Sequence, residues 1–464
     1  MRKWTPLHPF ALVLLAWLPA CGGDPAPDDE SPRWRVKSGF VRAPDGRRAI
    51  LRGANLAGMH KVAPYFSFHQ PADYVRLRED WGMTAIRFLV VWAAVEPHEG
   101  EYDDAYLDEV ALRVGWARDA GLHVVLDMHQ DVYGEGFATG GGDGAPRWAC
   151  DEANYQSFTP APEWYLNYLD PSVIACVDGF FASDELQQHY IEAWRRLASR
   201  LRDNVAVVGF DPMNEPHWGS AGMGSFEASR LQPFYEKLVP AVREVAPQWL
   251  AFLEPGASRN LGVPTSLSPF PFGDVVYSPH SYNPAAEQGK GFDPASRDAL
   301  IDNIALLAEE ARALDAALWI GEYGGKATAP GITEYMDASY EGAGAVAAAS
   351  AYWSYDANTS GYAMLHDDRS PKPKLQDVLI RPAPEWVAGD PISWEFEESS
   401  RKFTLSWTVD PSVSAPTVIV VPVSVYPSGY MVSCDGCETE QLPGSVAVVV
   451  PPRGDPAVVE VTPK

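Results

Sequence analysis

From about residue 35 to residue 380, short runs rich in β-branched and aromatic residues alternate with longer stretches whose apolar positions recur every three or four residues. The short runs predict strands at Ala49–Gly53, Ala85–Val91, His123–Met128, Val207–Pro212, Trp249–Glu254, Val275–Ser278, Leu318–Gly321 and Ser350–Trp353. Tyr106–Ala120, Leu186–Leu201, Pro233–Val245 and Arg297–Leu314 read as amphipathic helices between them. Eight strands, each followed by a helix or long loop, predict an α/β fold, a (β/α)8 TIM barrel. A doubly wound sheet is the alternative, but no glycine-rich dinucleotide loop follows the first strand. The alanine-rich run Ala345–Ser350 reads as a helix packed tightly before the eighth strand. Beyond Pro382-Ala-Pro384 the period falls to two, with strands expected at Ile392–Phe396, Lys402–Val409, Thr417–Val425, Gly429–Val432, Ser445–Val450 and Ala457–Val461. Turns rich in Pro, Gly and Asp separate them, which suggests a small antiparallel β-sandwich. The expected domains are thus a barrel over residues 35–383 and a β-sandwich over 384–464.

The first residues follow a different pattern. Arg2 and Lys3 precede an apolar run, Phe10–Trp17, that is too short to span a bilayer. Leu18-Pro19-Ala20-Cys21 follows it. This segment resembles a bacterial lipoprotein signal (residues 1–20), in which Cys21 would be lipidated; a plain secretory signal is the alternative. Residues 21–34, acidic and Pro-rich from Asp24 to Pro32, would form a tether. The expected location is outside the cytoplasm, at a membrane surface through the anchor or secreted. Four further cysteines, in such an oxidising compartment, suggest two disulfides between sequence neighbours, Cys150–Cys176 and Cys434–Cys437. A zinc site would want two close cysteine pairs plus His, and the second pair is absent.

Composition narrows the partners. The formal charge of −26, from 36 basic and 62 acidic residues, argues against nucleic acid, whose phosphates need clustered Lys and Arg. Aromatic residues reach 12%, with 16 Trp, which suits either a sugar-binding cleft or a large aromatic core. A monomer is expected.

Barrel enzymes gather their chemistry at the carboxyl ends of the strands. The fourth predicted strand runs into Met213-Asn214-Glu215-Pro216, and the seventh into Gly321-Glu322-Tyr323-Gly324. Two carboxyl groups facing each other suit glycoside hydrolysis: one is protonated to release the leaving oxygen, and the other is ionised to attack or to activate water. These residues resemble glycoside hydrolase family 5, a retaining family of the Asn-Glu barrel clan. Matching its motifs one at a time, the resemblance implies that Arg87 supports the nucleophile and that His129 follows the third strand. His280 and Tyr282 form the His-x-Tyr pair after the sixth strand, and Trp353 floors the sugar site after the eighth. Glu215 is then the acid/base, Glu322 the nucleophile and Asn214 a ligand of the sugar 2-hydroxyl. Glu215 must hold a proton near neutral pH, so its pKa needs raising by burial and a nearby anion. Glu322 must stay ionised, favoured by Arg87 and Tyr282, with the carboxyl groups about 5–5.5 Å apart. No cofactor or metal is implied.

Three features point within the family to its endoglycoceramidase-related branch. They are Asp127–Gly134 together with Gly144-Ala-Pro-Arg-Trp148, the opening Leu51–Gly58 followed by His60-Lys61, and the barrel-plus-β-domain layout. The implied substrate is a glycolipid, cleaved between oligosaccharide and ceramide. The insertion Trp148–Phe181, with Trp148, Tyr155, Phe158, Trp164, Tyr165, Tyr168, Phe180 and Phe181, either lines a ceramide groove or simply packs on the barrel. Lys61 and Asp131 are candidate ligands for sugar hydroxyls. An endoglucanase, a glucosyl-, galactosyl-lipid or steryl-glucoside hydrolase, and a non-catalytic sugar-binding lipoprotein remain alternatives.

Overall fold

Eight parallel strands close into a barrel in chain order: Gly53–Leu56, Ala85–Val90, His123–Met128, Val207–Asp211, Leu250–Leu253, Val275–Tyr277, Ala317–Tyr323 and Ala349–Tyr355. The computed structural model describes residues 33–464, which form one unit; the expected signal segment, Cys21 and most of the tether lie outside them. Every residue of the second, fourth and fifth strands is buried, as helices on one side and a filled barrel on the other demand. The helix Asp184–Leu201 turns Tyr190, Trp194, Leu197 and Leu201 inward at helical spacing. It starts where the Ser183 side chain accepts from the Leu186 backbone N–H. Among the described residues no helix is long and apolar enough to cross a membrane.

The first barrel strand lies further along the chain than the predicted Ala49–Gly53. Arg48–Ala49 instead pairs antiparallel with Ala383–Val387 of the C-terminal region. Ile50 and Leu51 enter a core shared with that region, and the buried Arg52 guanidinium donates to the Leu379 and Gly82 carbonyls. Gly53 begins the barrel because a Cβ there would lie 1.9 Å from the Ala85 carbonyl oxygen. The run Ala345–Ser350 is also corrected. The helix Ile332–Ala345 ends where the run begins, Ala347 turns in the left-handed region (φ 52°), and Ala349 already belongs to the eighth strand. High helix propensity loses here to strand pairing with Trp319 and Ile320.

The C-terminal strands form two antiparallel sheets. One of four strands joins Gly389–Glu397, Lys402–Val409, Ala457–Pro463 and Tyr430–Cys434; one of seven incorporates the N-terminal strands Arg35–Lys37, Phe40–Arg42 and Arg48–Ala49. The β-region is therefore built from both ends of the described chain. Trp34, at the end of the expected tether, is buried and packs against His123 and Trp386. Phe403, Leu405, Trp407, Val446 and Val459 share a continuous core with Leu51, Val125, Phe252 and Trp319 of the barrel. Both expected disulfides are present, Cys150–Cys176 and Cys434–Cys437.

Candidate active site

Arg87 organises the carboxyl ends of the strands. Its guanidinium, fully buried in the second strand, donates to Glu322 Oε1 at 2.7 Å, Glu254 Oε1 at 2.7 Å, Asp211 Oδ2 at 2.9 Å and Asn214 Oδ1 at 3.0 Å. Asp127 Oδ1 lies 3.0 Å from the same group. A planar fork with five N–H donors is the side chain able to serve so many acceptors at once. Burial lowers the guanidinium's pKa, but the surrounding carboxylates more than reverse this and hold it charged.

Glu215 sits just past the fourth strand with φ at 39°, a left-handed backbone that a non-glycine residue adopts only when its surroundings enforce it. Its N–H donates to Glu254 Oε2 at 2.8 Å, and its carbonyl accepts from Gln130 Nε2 at 3.1 Å. Its side-chain Oε1 accepts from Asn260 Nδ2 and pairs with His280 Nδ1, both at 2.7 Å. Across the cleft, Glu322 Oε2 accepts from the Tyr282 hydroxyl at 2.9 Å, and His280 Nδ1 lies 3.6 Å from the same oxygen. Donor atoms of Glu215, His280 and Glu322 fall within 4.8 Å of one another. One oxygen of each carboxyl is thus close enough to the other for the pair to flank a single glycosidic bond.

The charges follow from the packing. Burial lowers the His280 pKa, but Glu254, Glu322 and Glu215 overcome it and raise the imidazole well above its usual range. Burial pushes the Glu322 carboxyl up, while His280, Arg87 and Lys61 pull it back and Glu215 adds to the rise. Glu322 therefore depends on cations around it to remain ionised, and two of the three, Arg87 and His280, lie within 3.6 Å.

A second cluster lines the same cleft. His129 Nδ1 pairs with Asp127 at 2.8 Å, and its ring stacks on Trp353 at 5.4 Å between centroids. The Lys61 ammonium lies 4.8 Å over the Trp353 ring, bonds Asp131 and stands 3.9 Å from Asp143. Tyr168 donates to the other Asp131 oxygen at 3.1 Å. Burial raises the Asp131 carboxyl, but Lys61 and His129 outweigh it and hold the group below its usual range; burial raises Asp143 well above its own, Lys61 pulls it down and Asp131 adds to the rise. His129, Asp131 and Asp143 bring ligand atoms within 4.8 Å, a spacing that could hold a cation, and the Lys61 ammonium already faces the two aspartates. A cleft of about 280 Å³ is bounded by Lys61, Asp131, Glu215, Tyr282, Glu322 and Trp353, among others. All ten residues expected from the sequence gather around this cleft: Lys61, Arg87, His129, Asp131, Asn214, Glu215, His280, Tyr282, Glu322 and Trp353.

Glu254, Asn260 and Asp143 were not anticipated. Glu254 carried the same signal as Glu215, an acid at a predicted strand end. Asp143 faces Asp131 across an antiparallel bridge, made possible because Gly144 (φ 112°) approaches Gln130 too closely for any Cβ. Asn260 has no local signal; only the turn after the fifth strand brings it to Glu215.

Comparison with known proteins agrees with this arrangement. Residues 45–359 match Cellulase (glycosyl hydrolase family 5), and residues 381–462 match the glycoside hydrolase family 5 C-terminal domain. The chain belongs to glycoside hydrolase family 5. It is an O-glycoside hydrolase. Endoglycoceramidase I of Rhodococcus hoagii (strain 103S) is 27% identical over 442 residues, covering 90% of this chain and 85% of the relative. The solved complex of endo-glycoceramidase II from Rhodococcus sp. with ganglioside GM3 is 34% identical, with a TM-score of 0.83 over 92% of this chain and 99% of that one. Sterylglucosidase 1 of Cryptococcus neoformans shares the fold at 16% identity, with a TM-score of 0.79 over 94% and 98% of the two chains.

Proposed function

We propose that this family 5 enzyme cleaves the β-glycosidic bond between oligosaccharide and ceramide in glycosphingolipids by double displacement. The observation that carries the reading is a polar sugar cleft beside an apolar lip. Trp164 borders the cleft, and Trp164, Tyr165, Leu166 and Leu169 are 46%, 43%, 43% and 56% exposed in one short turn. The remaining rings of the insertion divide: Tyr155, Tyr168 and Phe180 are buried core, and Trp148, Phe158 and Phe181 pack against it. Clustered exposed apolar side chains at a cleft mouth suit a lipid aglycone, whereas scattered ones need no explanation. The ganglioside complex of the Rhodococcus relative supports the same substrate class.

In the first step Glu322 attacks the anomeric carbon and the bond to the aglycone oxygen breaks. Glu215 delivers its proton to that oxygen. Glu215 Oε1 is engaged by Asn260 and His280, so Oε2 is the oxygen available to the leaving group. Ester formation removes the Glu322 charge, after which Glu215 takes a proton from water as it attacks the glycosyl ester. Lys61, Asp131 and Asn214 bind sugar hydroxyls beside Trp353. The apolar run before Cys21 supports a lipoprotein held at a membrane outside the cytoplasm.

The test incubates purified protein with gangliosides, lactosylceramide, glucosylceramide, steryl glucoside and carboxymethyl-cellulose. Release of intact oligosaccharide and ceramide is expected; cellulose cleavage with intact gangliosides overturns the glycolipid assignment.

A further inference from the structure

Glu254 directly follows the fifth strand and lies 2% exposed behind the catalytic pair. Its Oε2 accepts from the Glu215 backbone N–H at 2.8 Å. Its Oε1 accepts from Arg87 at 2.7 Å and stands 3.2 Å from His280 Nε2. The opposite nitrogen of that imidazole touches the Glu215 carboxyl at 2.7 Å. One carboxyl thus holds the expected proton donor twice: by its left-handed backbone, and through the ring that contacts its side chain.

We propose that Glu254 is a positioning residue for general acid catalysis, fixing both the backbone of Glu215 and the orientation and charge of His280. The inference rests on Glu215 as acid/base, not on the lipid aglycone. A non-glycine residue at φ 39° resists relaxation only while its amide is held. Glu254 supplies that anchor from a different strand, so the acid is fixed by barrel closure rather than by its own loop. The charged and titratable groups around Glu254 come from every neighbouring strand: Arg87, Asp127, Asp211, Glu215, His280 and Glu322. Burial and Asp211 push Glu254 up to about 8 against the opposing pull of His280 and Arg87. The Glu254 carboxyl, 3.2 Å from Nε2, favours the charged form of the imidazole, whose Nδ1 faces Glu215.

A positioning role makes a prediction that a purely structural role does not. Loss of acid catalysis slows departure of poor leaving groups and spares good ones. In Glu254→Gln, kcat/KM on phenyl β-lactoside is expected to fall about 10- to 100-fold, with less than about a threefold loss on 2,4-dinitrophenyl β-lactoside. Equal loss on both substrates, or loss on neither, overturns the proposal. Glu215→Ala assayed in parallel separates the two layers: if it retains full activity on the phenyl glycoside, the acid assignment falls and this inference with it. Should Glu254→Gln fail to fold, the wild-type protein still decides. Nitrogen-15 NMR is expected to find both ring nitrogens of His280 protonated at pH 6, and a neutral ring there overturns the proposal.

Discussion

At the scale of single residues, the catalytic pair differs from its surroundings in how it is held. Both Glu322 oxygens have donors, Arg87 on one and Tyr282 on the other, so the nucleophile is fixed in place. Glu322→Gln is expected to abolish turnover. Glu215→Ala is expected to slow it, with azide restoring activity on an activated substrate; unchanged steady-state rates in either variant would contradict the assigned roles. Arg87→Lys replaces a five-donor fork by one ammonium among Glu322, Glu254, Asp211 and Asp127. It leaves buried acceptors unserved, each costing about 1–3 kcal/mol. A marked fall in melting temperature is expected together with loss of activity. At Lys61, replacement by Met removes the cation that keeps Asp131 ionised. KM for a lactoside should rise about tenfold, as a lost charge-assisted hydrogen bond predicts, and kinetics with a substrate lacking the neighbouring hydroxyl would reveal the contact.

At the scale of elements, the strand ends were readable and the loops were not. The motifs around Glu215, His280 and Glu322 are local because each follows its strand within a few residues. Asn260 and Asp143 reach the cleft only because a turn and an antiparallel bridge return the chain to it. The insertion divides similarly. Its aromatic content was evident, but whether a ring faces the core or the solvent depends on the fold of 148–181, stapled by Cys150–Cys176. Trp164→Ala is expected to raise KM for a glycolipid presented in micelles and leave an aryl lactoside unaffected. Equal effects on both would place Trp164 in the sugar site rather than at the lipid.

For the whole molecule, histidines buried in their neutral form lower stability in acid, His60 and His69 among them. His60 and His69 stack in the core, each with one ring nitrogen on a backbone carbonyl. Burial pushes both down to about 3. The unfolded chain binds protons at these imidazoles from about pH 6.5 downward, whereas the folded chain does not until about 3, so stability falls with pH across that window. At pH 5 each histidine costs about 2 kcal/mol relative to neutral pH. His60→Phe should flatten the decline of melting temperature between pH 7 and 4.5. The β-region matters at the same scale: a chain ending at residue 380 would uncover Ile50, Leu51 and Trp319, and is expected to aggregate rather than fold as a soluble barrel.

The chain order of strands, the paired glutamic acids and their family motifs were determined by the sequence, because side-chain alternation and strand-end residues are local properties of a parallel barrel. Tertiary structure alone decided the rest. Barrel closure set Glu254 behind Glu215, and the N-terminal strands completed a sheet begun hundreds of residues later. Both are contacts between distant segments, and their energy depends on which buried groups meet, which no run of neighbouring residues encodes.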